Sequence, residues 1–347
     1  MIKSDFTAKH VCICAATYFR PSGLRRLLDS INVLDVEPLG NVPRITVVIV
    51  DNDPNGSALS VIEKCRENGF RFALEYFVEA KRGIPQVRNR LLEASKALGA
   101  DVIAMVDDDE SVDEEWLSSG LRAMYEWNAD VIFGHLIPIL NPHSPQWIID
   151  GGYFEFPVYK NGTSLKEAYT YNVFFKIKIL ESVFGFDESL SLSCGEDVLF
   201  FREVSREGFS IKFCSLAIVY AHLSKDRISL GWILKRRFNY SIPVELILKT
   251  KEGKSTFLLR IWLAFKSIFF IFTALLISPL IVLRVVPIQL NKVCGKFFGP
   301  RAEHLLRRLN YGYRGILWFI SARLGVLLGA FGYKFDEYAH PSIETKK

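Results

Sequence analysis

At 347 residues, half of them apolar and 13% aromatic, the chain can fill one large domain or two moderate ones and bury a substantial core, which argues against intrinsic disorder. Its net charge of +5 is unevenly spread: residues 1–240 hold 27 Lys/Arg against 32 Asp/Glu, and residues 241–347 hold 16 against 6. A segment both basic and apolar points to anionic lipid, and the lack of a zinc-finger spacing, an aromatic RNA-binding motif or a basic recognition helix speaks against nucleic acid.

The opening stretch MIKSDFTAKH leads into six apolar residues, too few for the apolar region of a signal peptide, so export through a cleaved signal is not expected. Runs 11–16, 45–50, 102–106 and 131–133 are β-rich and too short for helices. Cys12 and Cys14 sit in the first run as small hydrophobes. None of the six cysteines (12, 14, 65, 194, 214 and 294) forms a C-x-x-C, which predicts buried thiols in a reducing compartment and no zinc site. Between the strands, Leu24, Leu27, Leu28 and Ile31 recur at helical spacing, as do Val87, Leu91, Ala94 and Leu98, then Leu117, Leu121 and Met124. Strands alternating with helices predict a parallel, doubly wound α/β sheet, whose ligands lie beyond the carboxyl ends of the strands. The residues there are polar: Thr17 and Arg20, then Asp51, then Asp107 to Asp109. From 141 to 162 the composition turns loop-like, with Pro142, Pro145 and Pro157. A mixed segment follows to about His222, then a basic helical stretch over 227–250 and an apolar tail from about 257. There is no internal repeat.

Three stretches carry chemistry. In VIAMVDDDESV an apolar strand ends in Asp107, Asp108 and Asp109, followed by Glu110. Crowded carboxylates repel unless a divalent cation relieves them, and Mg²⁺ or Mn²⁺ shared with substrate phosphates suits this set; a solvated acidic turn is the alternative. In EAKRGIPQVRNRLLEAS, Pro85 opens a helix whose N-terminus, with Lys81, Arg82 and Arg88 nearby, either receives a pyrophosphate or is an ordinary basic turn. No G-x-G-x-x-G or P-loop occurs. In SCGEDVLFFREVSREGF, Glu196 and Asp197 follow a glycine that gives backbone freedom. Either they hold a general base for an acceptor hydroxyl, or they cap the helix that follows. His222 ends a strand-like run as a structural residue or a ligand.

Together, TYFRPSGLRRLLDSI, VVIVDNDPN, GIPQVRNRLLEAS, VIAMVDDDESVDEEWL, FDESLSLSCGEDVLFFREVSREG and AIVYAHL resemble, in order and spacing over roughly residues 9–245, the family 2 glycosyltransferases of the GT-A fold. DNDPNGSA, DDDESVDEEW, YTYNVFFK and DRISLGWILKRRF are similar to the bacterial succinoglycan-type exopolysaccharide glucosyltransferases. The resemblance implies that Thr17 and Arg20 line the nucleotide pocket and that Asp51 hydrogen-bonds the base. It makes Arg88 the donor-contacting arginine, although Val87 replaces the usual alanine. Asp107 and Asp108 would face the nucleotide sugar, Asp109 would ligate the metal, and His222 would complete the metal site. Asp197 would be the catalytic base beside Glu196, and Trp147 and Asn172 fall on the acceptor side. It also implies a UDP-hexose donor, a glycan or lipid-linked oligosaccharide acceptor and inversion at the anomeric carbon. The missing Q-x-x-R-W motif favours addition of a single sugar over polymer synthesis. A nucleotidyltransferase and a non-catalytic membrane scaffold remain as other classes; a scaffold has no use for Asp107, Asp109 and Asp197.

The expected organisation is a GT-A domain over 1–225 (donor half 1–110, acceptor half 111–225), a basic helical linker 226–256, membrane-associated helices 257–335 and a tail 336–347. Stretch 267–283 is uncharged but short for a span and contains Pro279; 316–332 carries Arg323 at its centre and Ser321, Gly325 and Gly329 in a stripe suited to close helix packing. The connector 284–315 holds seven Lys/Arg and one acidic residue. A re-entrant or interfacial hairpin is therefore expected at the cytoplasmic face of a bacterial inner membrane.

Overall fold

The computed structural model describes residues 8–142, 144–190, 195–241, 256–282 and 313–331. In chain order these form β1 (His10–Thr17), α1 (Pro21–Asn32), β2 (Arg44–Asp51), α2 (Leu59–Glu67), β3 (Ala73–Val78), α3 (Ile84–Ala97), β4 (Val102–Val106), β5 (Glu110–Val112), α4 (Trp116–Glu126), β6 (Val131–Ile139), α5 (Gln146–Gly151), β7 (Ser164–Leu165), β8 (Asn172–Lys176), α6 (Glu196–Arg206), β9 (Ile211–His222), α7 (Leu230–Asn239), α8 (Phe257–Val282) and α9 (Tyr313–Ala330).

The strands make one sheet in the order β3-β2-β1-β4-β8-β6-β9-β5, with β7 paired to β9. The four-strand block β3-β2-β1-β4 is parallel, as is β6 with β9. The pairs β4–β8, β6–β8, β5–β9 and β7–β9 are antiparallel. The sheet is thus mixed: the parallel expectation holds for β1 to β4, while β5 to β9 interleave antiparallel strands.

Period-two alternation sorts the central strands onto two cores. Val11, Ile13 and Ala15 of β1, Val47 and Ile49 of β2, and Val102, Ala104 and Val106 of β4 pack with Leu24, Leu27, Leu28 and Ile31 of α1 and Trp116, Leu117 and Leu121 of α4. Cys12, Cys14, Val48, Val50, Ile103 and Met105 face the other way, onto Val87 and Leu91 of α3 and Phe200 and Phe201 of α6. Burial on both faces is why these strands read as unbroken apolar runs. Among the described residues the cysteines 12, 14, 65 and 214 are free and buried; burial lifts the Cys12 thiol to about 11, out of the reactive range.

Three local readings change. β3 was not foreseen, because it is the edge strand and only Leu74 of its six residues is buried. The proline-rich 141–162 segment contains the short helix α5, and the 131–133 run extends to Ile139. A third apolar cluster, Ile148, Tyr153, Ile233 and Trp318, joins α5, α7 and α9. In α9, Ser321 Oγ donates to the Leu234 carbonyl at 2.7 Å, and a Cβ on Gly325 would overlap the Phe238 carbonyl. The small-residue stripe therefore serves close packing against α7. α8 continues as helix through Pro279 to Val282. Most of the connector 284–315 and all of the tail 336–347 lie outside the described residues, as do Cys194 and Cys294.

Candidate active site

The direction of the strand order reverses at β1: β2 and β3 lie on one side, β4 on the other. The crevice between the ends of β1 and β4 is where a doubly wound sheet places its ligand. Here Arg20, the N-cap of α1, donates from Nη1 to Asp108 Oδ1 at 2.9 Å and to Asp109 Oδ2 at 3.3 Å. Arg26 Nη2 donates to the Asp109 carbonyl at 3.1 Å. The approach of α1 depends on Gly23, where a Cβ would lie 2.7 Å from the Asp108 carbonyl oxygen. Just before it, Phe19 adopts a left-handed φ of 51°, a costly conformation of the kind that collects at functional sites.

Asp51, at the end of β2, is fully buried and its carboxylate is saturated. It accepts from the backbone N–H of Asp53 at 3.0 Å and of Ala58 at 2.8 Å, from the Tyr76 hydroxyl at 3.0 Å and from Ser57. It shapes the 52–58 loop, so its geometry here is that of a loop organiser. Asn52 extends this scaffold: its amide donates to the Glu79 and Lys81 carbonyls, and its Oδ1 accepts from Gly83 N at 2.9 Å, at the start of α3. Arg82 stacks over Tyr18 at 5.2 Å, and Lys81 pairs with Glu188.

Arg88, on the first turns of α3, joins the two halves of the site. Its guanidinium is only 12% exposed, pairs closely with Glu196 of α6, and lies 3.8 Å from Asp107 after β4. Glu196 and Asp197 open α6 behind Gly195, whose φ of 102° needs a glycine. Burial lifts Glu196 to about 7 despite Arg88, with Asp197 adding to the rise. Burial also raises Asp197, opposed by Arg88 and by backbone N–H groups, including that of Val198 at 2.7 Å.

The acidic turn splits by position. Burial raises Asp108 to about 6 even against Arg20, with Asp109 adding to the rise and the Thr17 hydroxyl opposing it. Asp107 is raised by burial against the pull of Arg88. Glu110 is raised well above the carboxylate range by burial and then by Asp107 and Asp109; it accepts from Asp107 N at 3.0 Å. Burial pushes Asp109 up too, but Arg20 and then Arg227 together hold it below the ordinary value. Arg227 was not foreseen, yet its Nη1 lies 2.8 Å from Asp109 Oδ2. His222 ends β9 beside β5 and shares a 2.7 Å hydrogen bond from Nε2 with Ser111 Oγ. Burial and Arg26 lower its pKa against the opposing pull of Asp109, which favours the neutral ring. Among the described residues, no group of three or more His, Cys, Asp and Glu is arranged to hold a metal ion.

One acceptor-side placement turns out differently. Asn172 is fully buried: it accepts from Trp116 Nε1 at 2.9 Å and donates to the Ala217 and His135 carbonyls at 2.8 and 2.9 Å. Its amide is consumed inside the sheet and cannot present itself to an acceptor, which corrects the expectation. Trp147 packs edge-on against Tyr153 and under Arg314 of α9.

Residues 12–183 match the family model for glycosyl transferase family 2. The chain is 31% identical over 232 residues to the succinoglycan biosynthesis protein ExoM of Rhizobium meliloti (strain 1021), covering 66% of this chain and 72% of that one. Its fold is similar to that of the mannosyltransferase PcManGT from Pyrobaculum calidifontis, solved in complex with GDP-Man and Mn²⁺, with a TM-score of 0.52 and 16% identity over 72% of this chain and 67% of that one. A weaker likeness, TM-score 0.48 and 18% identity over 66% of this chain, links it to S. aureus TarS, of which it spans 40%. With a GT-A-like sheet, the acidic turn at its switch point and this kinship, the chain belongs to glycosyl transferase family 2 and is a nucleotide-sugar glycosyltransferase.

Proposed function

We propose that the enzyme transfers a hexose, with inversion, from a nucleotide sugar (UDP-hexose) to a glycan or lipid-linked oligosaccharide at the cytoplasmic face of a membrane, in surface or exopolysaccharide assembly. The observation that carries this reading is the Arg88 bridge, which ties Asp107 on the donor side to Glu196, the neighbour of Asp197, on the acceptor side. A donor lying along the β1/β4 crevice has its anomeric carbon near this bridge. Asp197 takes the proton of the attacking hydroxyl, and its raised pKa brings it closer to that task. Glu196 holds Arg88 in place, and Arg20 braces the acidic turn.

A Mg²⁺ or Mn²⁺ ion suits the residues present. Carboxyl groups 107, 108, 109, 110, 196 and 197 outnumber the arginines at 20, 88 and 227 that answer them, and all but Asp109 are raised, by burial first and by neighbouring carboxylates second. Asp109 and the neutral imidazole of His222 would hold the ion, its other ligands coming from donor phosphates. When bound, it neutralises charge on the departing diphosphate. Mn²⁺ in the PcManGT complex supports this choice by analogy of fold.

Membrane association is supported by α8. Stretch 257–276 is long and apolar enough to cross a bilayer, and only 6% of it is buried. The basic residues flanking it prefer the cytoplasmic side. The test is a screen of nucleotide sugars with purified full chain and divalent metal. Release of a nucleoside diphosphate from one donor is expected, and its abolition by a chelator. Release of pyrophosphate instead, or no turnover of any donor, overturns the proposal.

A further inference from the structure

Two arginines at the junction of α7, α8 and α9 answer to no carboxylate among the described residues. Arg237, in the last turn of α7, lies over the Trp318 ring at 4.2 Å, and Arg323 of α9 lies 5.2 Å from both Phe270 of α8 and Phe319. Each has a buried Nε with no hydrogen-bond acceptor, and neither makes an ion pair among the described residues. Two further polar side chains share the junction. Asn239 is 2% exposed with neither amide atom engaged, and Ser267 is fully buried with its hydroxyl unused. Asn239 adjoins Phe238, whose carbonyl abuts Gly325, two residues from Arg323; Ser267 lies three residues before Phe270 on α8.

Buried polar groups are almost always satisfied, and like charges in an apolar surround repel. Here burial and then Arg323 hold Arg237 down to about 10. A dianion would answer both guanidinium groups, and the planar guanidinium fork matches phosphate oxygens. Position narrows the ligand. Beside the junction, α8 presents an apolar outer face, with Leu258 77%, Phe265 72% and Phe269 62% exposed. The arginines thus sit beside a lipid-like face.

We propose that the α7–α8–α9 junction binds the phosphate or diphosphate headgroup of a lipid-linked acceptor through Arg237 and Arg323. It rests on the glycosyltransferase reading above and adds a location for the acceptor's anionic anchor.

The test is binding of farnesyl diphosphate, inorganic pyrophosphate and farnesol to the full chain in detergent, with UDP binding measured in parallel. Farnesyl diphosphate is expected to bind, farnesol not. Arg237→Gln and Arg323→Gln should each weaken it by roughly tenfold or more, Arg→Lys at either position by less, and UDP binding should not change. Should a Gln variant fail to fold, the Lys variants provide the same comparison. Unchanged farnesyl diphosphate binding in a folded Arg237→Gln/Arg323→Gln variant overturns the site. Equal affinity for pyrophosphate overturns the lipid assignment and makes the ligand a soluble phosphate. Absence of UDP binding in every form, wild type included, counts against the donor reading and not against this site.

Discussion

Arg227 Nη1 lies 2.8 Å from Asp109 Oδ2, the same oxygen that Arg20 approaches at 3.3 Å. The segment after β9 thereby closes over the acidic end of β4, and a guanidinium occupies the carboxylate proposed to ligate the metal. Arg227 and a divalent cation compete for one oxygen. Arg227→Gln should therefore lower the Mn²⁺ concentration that half-saturates the donor-free enzyme by roughly several-fold, since a neighbouring charge of this kind moves a carboxylate's affinity by about a unit or more on a logarithmic scale. A Mn²⁺ titration followed by electron paramagnetic resonance measures this; an unchanged or weaker affinity rejects the competition.

Asp197 must be ionised to accept a proton, and its pKa is raised by burial. Transfer should be lost as pH falls through the raised pKa of Asp197, giving an acid limb in the kcat/KM profile that lies above the value of a free aspartate. Asp197→Asn should reduce transfer by roughly 10²–10⁴-fold with donor affinity nearly intact. Near-normal turnover in that variant, or an acid limb that survives the substitution unmoved, removes Asp197 from the role of base.

How much of this was legible in the sequence follows from the physics of each residue. The strands of the donor half were readable because burial on two faces writes an unbroken apolar run, and the site because each run ends in Thr17, Asp51 or Asp107. β3 escaped since an edge strand carries polar and exposed residues such as Glu75 and Val78. Arg227 and Arg237 could be seen as basic residues, but whether a cation meets a carboxylate or an aromatic ring depends on which distant element folds beside it. Asn172 shows the converse limit: an amide beside aromatic residues reads alike whether it points to a ligand or into the sheet.

Asn172 is a direct check of that last distinction. Its amide binds Trp116 Nε1 and two backbone carbonyls in a site with no solvent exposure. Asn172→Ala leaves all three unpaired and opens a small cavity, so unfolding should become easier by about 2–4 kcal/mol. Denaturant melts would show this loss, with the KM for acceptor unchanged in the folded fraction. A variant as stable as wild type but with a raised acceptor KM would restore the acceptor-side reading.

The exposed face of α8 gives the final prediction. Leu258, Ile261, Phe265, Phe269, Phe272 and Leu276 recur at three- and four-residue spacing and are all 38% exposed or more, while the opposite side of the helix packs on α9. An apolar stripe of this length in water would drive aggregation, and a bilayer removes that cost. Burying a phenylalanine side chain is worth about 1.5–3 kcal/mol, and placing an aspartate in the same position adds a desolvation penalty. Phe265→Asp combined with Phe272→Asp should therefore release the full chain from anionic vesicles in a flotation assay. The melting temperature of the catalytic domain should stay within a few degrees of wild type, because neither side chain touches its core. Continued flotation of that variant, or a wild-type chain that remains soluble and monomeric without detergent or lipid, would mean that this face serves something other than a membrane.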